Sequence, residues 1–75
     1  MTVRFLSRAN CSLCEEALPV VTAVCRRRRH DLEVIDVAGT VWEEPYGDRL
    51  PVVIADGAMV LSGRFTKRDV RRALK

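Results

Sequence analysis

The sequence contains no long apolar run. None of its hydrophobic stretches approaches the roughly 18 to 20 residues that cross a bilayer, so a membrane-spanning helix is excluded. The first residues lack the charged, then apolar, then small-residue layout of a secretory signal, which makes a cytoplasmic location the expectation. Aromatic residues are scarce, at 5%, and none interleaves with the basic clusters, so a stacking platform for single-stranded nucleic acid is not expected. There is one histidine and an odd count of three cysteines, and without a secretion signal that count argues against a permanent disulfide framework. Internal repeats and low-complexity tracts are absent as well.

What remains is a chain of 75 residues, enough for one domain and one site. A domain of this size buries only ~60% of the surface its unfolded state exposes, so its stability margin is modest. Hydrophobic residues at 48% and charged residues at 31% are ordinary globular proportions. The net charge of +3 is mild, and the excess lies in Arg26 to Arg29 and in the closing segment from Arg64 to Lys75. Charge alone does not name a partner.

Local patterns predict four strands, two helices and one connection that is a short helix or a loop. Thr2 to Leu6 alternates as a strand, and Ser7 to Asn10 forms a loop. From Cys11 the spacing turns helical: Cys14, Ala17, Leu18, Val21 and Cys25 share one stripe, widened by Val24. With glutamates in the first turn and arginines in the last, this predicts a helix from about Ser12 to Arg28, kinked at Pro19. Leu32 to Val37 reads as a buried strand, parallel to the first through a right-handed crossover. Ala38 to Arg49 is a connection with room for a short helical turn around Trp42. Val52 to Ile54 and Met59 to Leu61 form a hairpin about Asp56 and Gly57. The last helix runs from about Lys67 to Leu74, with Thr66 and Asp69 as a capping box and Phe65 stapled to Val70. The order βαβ, short helix or loop, ββα predicts an α/β fold with a four-stranded mixed sheet flanked by helices.

The chemistry concentrates at "CSLC", residues 11 to 14. A helix N-terminus offers unpaired N–H groups and partial positive charge to a thiolate at Cys11. In such settings a thiol pKa falls from about 8.5 to between 3.5 and 7.5, giving a nucleophile and a good leaving group near neutral pH. Arg8 would add to this if its side chain turned inward. Cys14, one turn later on the apolar stripe, can reach Cys11 while less open to outside disulfides. Cys11 is thus the expected nucleophile and Cys14 the expected resolving thiol.

Two other readings compete. A CxxC is half of many zinc sites, but the further ligands available are Cys25 and His30, and Cys25 lies about 16 Å from Cys14 by helical rise. The pair could also be two inert core thiols, the role expected of Cys25. That version of the protein is a basic binding module for an acidic protein or nucleic acid. The Arg26 to Arg29 run is itself explained locally as a solvated helix end favourable to the dipole, and His30 reads as a surface residue. Trp42 and Tyr46 are expected to cover the core edge, with an exposed Trp42 as a docking alternative.

Three segments in order, "CSLC" after a strand, "RLPVV" opening the third strand and "LSGRF" before the last helix, resemble a short bacterial glutaredoxin of the thioredoxin fold. The resemblance spans nearly the whole chain and includes Tyr46 and Gly47. It implies a dithiol oxidoreductase with no bound cofactor or metal, acting on protein disulfides or glutathione mixed disulfides. It also implies a cis Pro51 facing the cysteines, with Leu50 beside it offering backbone groups to an extended substrate. Ser12, Leu13 and Gly63 complete the expected substrate contacts. Ser12 and Leu13 stand where typical glutaredoxins carry proline and tyrosine, and no acid follows Gly63 until Asp69, where the family holds the glutathione amino group. The reductant therefore stays open between glutathione and a thioredoxin-reductase system, as used by short redoxins with a similar "SG" before the last helix.

Overall fold

A computed structural model describes residues 1–75. The elements run β1 (Thr2–Ser7), α1 (Ser12–Arg28), β2 (Asp31–Asp36), α2 (Glu43–Tyr46), β3 (Val52–Ala55), β4 (Ala58–Ser62) and α3 (Lys67–Ala73). The four strands form one sheet in the order β2-β1-β3-β4. β1 pairs with β2 in parallel, Phe5 opposite Val34, and with β3 antiparallel, Phe5 opposite Val53. The β3–β4 pair is antiparallel with an irregularity at Val53 and Ile54. This is the predicted α/β arrangement, with the parallel pair joined by a helical crossover.

Strand alternation sorts side chains to two faces of the sheet. Val3, Phe5, Val53 and Ala55 pack with Cys14, Val21, Val24 and Cys25 of α1 and with Val70 and Leu74 at the end of α3. Leu6, Val52 and Ile54 face the other way and, with Val37, are covered by Trp42, Tyr46, Ile35 and Leu50. The stripe read from the helical spacing is therefore the face that α1 buries. Trp42 does cover the core edge: it is half-buried, and the Arg4 guanidinium lies 5.6 Å from its ring centroid.

One strand departs from expectation. β2 is an edge strand and not a buried one; its Val34 is 50% exposed, and only Val37, beyond its end, is fully buried. The apolar run was real, but sheet order decides which strands acquire neighbours on both sides. Charged Asp31, Glu33 and Asp36 along this edge discourage further strand pairing.

Helix ends follow the predicted chemistry. The Thr66 hydroxyl accepts the Asp69 N–H at 3.1 Å and the Asp69 carboxylate accepts the Thr66 N–H at 2.8 Å, closing the capping box. These bonds, backbone first and hydroxyl second, hold the Asp69 carboxyl below its ordinary range. Phe65 packs on the cluster that contains Val70. Pro19 sits on the exposed side of α1, and the helix continues through it although proline has no N–H to offer the Glu15 carbonyl. The hairpin turn places Asp56 at φ 50° and Gly57 at φ 87°, the left-handed geometry a two-residue connection requires.

The C-terminal end of α1 corrects the reading of His30 as a surface residue. Arg29 adopts φ 58° and closes the helix, so His30 turns back and its Nε2 lies 2.7 Å from the Leu74 carbonyl oxygen. That oxygen only accepts, so Nε2 carries the proton. The Arg28 guanidinium likewise donates to the Arg71 carbonyl. Two members of the "RRRRH" run thus satisfy the last carbonyls of α3, which no residue of α3 itself could reach.

Candidate redox site

The site begins where β1 delivers the chain to α1. Asn10 takes φ 62°, a left-handed conformation its short polar side chain tolerates, and turns the backbone so that Cys11 becomes the N-cap of α1. The Cys11 sulfur accepts the Cys14 N–H at 3.2 Å, and the Cys11 carbonyl accepts the Glu15 N–H at 3.0 Å. A cysteine here takes the place of the usual Ser, Thr, Asp or Asn cap. The sulfurs of Cys11 and Cys14 lie at disulfide-bonding distance, with their Cα atoms 5.2 Å apart. Cys11 is half-buried and Cys14 buried.

Cys25, the third thiol, is buried on the inner face of α1, and burial pushes its pKa up. It lies with His30 at the opposite end of the helix from the pair. No three of the histidine, cysteine, aspartate and glutamate side chains come together. Arg8 does not turn toward Cys11: its guanidinium is 3.4 Å from the Glu43 carboxylate on α2. The same guanidinium, with the Glu43 carbonyl, crowds Gly47, where an added Cβ would fall 2.5 Å from that oxygen.

The expected substrate contacts fall into three groups. Leu13 and Gly63 line one groove of about 180 Å³ beside the cysteine turn, closed by Glu16, Ala17, Val20, Arg64 and Phe65. Leu50 packs on the same core cluster as Cys11. Pro51 follows a cis Leu50–Pro51 peptide bond, as expected from the resemblance, and its ring is buried. Gly63 ties the first two groups together: at φ 70° its N–H donates to the Pro51 carbonyl at 2.9 Å and to the Arg49 carbonyl at 3.0 Å. Ser12 is exposed and outside the groove. Glu16, Ala17, Val20, Arg64 and Phe65 were not foreseen as groove residues. The signal for the first three was the helical spacing itself, since Leu13, Glu16, Ala17 and Val20 follow one strip of α1.

Similarity to known proteins agrees with this geometry. The chain superposes on thioredoxin 1 from Thermosipho africanus with a TM-score of 0.70 at 21% identity, over 99% of this chain and 90% of that one. The protein XcR50 from X. campestris gives a TM-score of 0.78 at 23% identity, over 96% and 93%. A mutant thioredoxin from Halobacterium salinarum gives 0.70 at 23% identity, over 95% of this chain and 68% of that one. No curated protein matches the chain. The thioredoxin-like fold is therefore shared with these structures. Residues 2–75 match the model of the glutaredoxin-like domain (DUF836), and the chain belongs to that family.

Proposed function

We propose that the protein is a thiol–disulfide oxidoreductase that reduces disulfide-bonded substrates through Cys11 and Cys14. The observation that carries this reading is the placement of Cys11: its sulfur is the N-cap atom of a 17-residue helix, in bonding reach of a second, buried sulfur one turn on. In the reduced protein the Cys14 N–H and the helix N-terminus stabilise a Cys11 thiolate. That thiolate attacks one substrate sulfur, forming a mixed disulfide and releasing the other sulfur as a thiolate, which takes a proton from water. Cys14 then gives up its proton to solvent and attacks the Cys11 sulfur, displacing the second substrate thiolate. The substrate gains two electrons and the protein is left with the Cys11–Cys14 disulfide, which an external dithiol or glutathione system must reduce.

The groove beside the turn and the backbone at Leu50 and Pro51 serve as the substrate cradle in this account. Leu13, Val20 and Phe65 supply apolar contact, and Gly63 fixes the loop that carries Pro51. Arg64 stands after Gly63 where an acid would be needed to meet the amino group of glutathione, which favours a thioredoxin-reductase type of donor and protein disulfides as substrates. The exchange belongs in a reducing compartment, the cytoplasm. No helix is long and apolar enough to cross a membrane.

The test is NADPH consumption by the oxidised protein in two parallel reactions, one with glutathione and glutathione reductase and one with thioredoxin reductase. Consumption with thioredoxin reductase supports the reading in full. Consumption only with glutathione keeps the activity and overturns the assigned donor, and no consumption in either contradicts the proposal.

A further inference from the structure

At the end of α1 remote from Cys11 and Cys14, helices α1 and α3 leave a groove of about 290 Å³ between them. Its lining residues are Ala23, Val24, Arg27 and Arg28 from α1 and Lys67 and Arg71 from α3. Four of them are cations and none is acidic. Both salt bridges of the molecule lie elsewhere, joining Arg4 to Glu33 and Arg8 to Glu43, so these four cations have no carboxylate partner. Asp69, the acid on α3, spends its carboxylate on the Thr66 N–H. The net formal charge is +3, and its excess lies in the two segments that supply these cations, Arg26 to Arg29 and Arg64 to Lys75.

Folding accounts for only one of these side chains. Arg28 closes α3 through the Arg71 carbonyl, whereas the side chains of Arg27, Lys67 and Arg71 bond to nothing in the protein. Lys67 and Arg71 are like charges one turn apart on a short helix, an arrangement that costs rather than contributes stability.

We propose that this groove docks an acidic segment of a partner protein, with successive Asp or Glu carboxylates taken by Arg27, Lys67 and Arg71. The guanidinium fork matches a carboxylate in two-bond geometry, and Ala23 and Val24 give a small apolar floor for the aliphatic stems. The cations are spread over two helices, with Lys67 and Arg71 about 6 Å apart along the axis, a spacing suited to charges along a chain rather than to one compact phosphate. A nucleic acid fits less well, because no aromatic side chain lines the groove to stack a base. Arg27 lies about 24 Å from Cys11 by helical rise, so a segment bound here leaves the cysteines free. The docking is independent of the redox reading.

The experiment titrates the full-length ¹⁵N-labelled protein with hexaglutamate and follows amide shifts at low and high salt. The expected result is shifts confined to Ala23 to Arg28 and Lys67 to Arg71 that weaken as salt rises. The double variant Arg27→Gln/Lys67→Gln should weaken binding by about tenfold, and Arg71→Gln, which keeps the carbonyl used by Arg28, should weaken it in the same direction. Arg26→Gln/Arg68→Gln removes equal charge from the same helices outside the groove and should weaken it less than about threefold. Circular dichroism melts establish that each variant is folded. Equal losses in the two double variants would overturn the proposal, as would shifts elsewhere or no binding. Tighter binding of inorganic triphosphate or a single-stranded oligonucleotide than of hexaglutamate would reassign the groove to phosphate. Disulfide exchange by the variants, measured separately, should equal that of the parent, so failure of either proposal is read without the other.

Discussion

Helix α1 carries a cysteine near each end, and the two ends treat it oppositely. At the N-terminus Cys11 is half-buried, caps the helix with its sulfur and bonds to Cys14. Near the C-terminus Cys25 is 2% exposed, and burial raises its pKa. Unpaired N–H groups and a positive dipole end favour a thiolate at the first position, and an apolar surround disfavours one at the second. The difference shows that thiol count and helical spacing do not define a cysteine's surroundings; the end of the helix and the access to solvent do. The C-terminal end has other work, in which Arg28 and His30 satisfy α3 and the remaining cations form a groove.

The largest expected effect breaks the N-terminal half of this comparison. Cys11→Ser should abolish turnover, whereas Cys14→Ser should accumulate mixed disulfides with substrate, detectable by mass spectrometry under non-reducing conditions. Activity of either variant equal to the parent would remove the assigned roles. By contrast, Cys25→Ala should leave exchange unchanged.

Next in size is the anchoring of α3 beneath the C-terminal end. Leu74 is fully buried in the main cluster, so Leu74→Ala should cost about 2 to 5 kcal/mol in urea unfolding, a large share of a small domain's stability. A smaller loss sharpens the role of His30. Replacing it with Ala removes one bond to the Leu74 carbonyl, and the expected cost is about 1 kcal/mol, with exchange activity unaffected. A cost near zero would return His30 to the solvated role its neighbours suggest.

The sequence made visible what depends on near neighbours. The α1 stripe, the Asp56–Gly57 turn and the Thr66–Asp69 box each involve residues within a turn or two, and all three appear where their patterns put them. Long-range pairing was hidden. That β2 lies at an edge follows from β1 pairing on its other side with β3, about 50 residues later, and nothing in Leu32 to Val37 encodes it. His30 and Arg28 meet carbonyls more than 40 residues away, so their own composition suggested only solvated charge. Arg8 was placed near the cysteines by sequence proximity, but Glu43 across the connection holds it. In the site, Leu13 and Gly63 share a groove because α1 and the β4–α3 loop pack together. Arg64 was noticed only as an absent acid; its position in that groove needed the fold.

The smallest effect concerns pH. Asp69 has its carboxyl held below the ordinary value, near 3.9, by the Thr66 N–H and then the Thr66 hydroxyl. Its contribution to stability is therefore present above that ordinary value and is lost as pH falls through the lowered one. The gap in urea midpoint between the parent and Asp69→Asn should be widest near neutrality and close on acidification. A gap independent of pH would show that the box acts through geometry and not through the charge.

The most direct test of the central claim is the rate of alkylation of each cysteine in the fully reduced protein, read by peptide mass spectrometry across pH. Cys11 should react first, with a half-maximal pH clearly below the ordinary thiol value of about 8.5, while Cys25 stays silent until the protein unfolds. If Cys11 titrates at or above that value, the N-terminus of α1 does not activate its sulfur, and the proposed redox chemistry is contradicted.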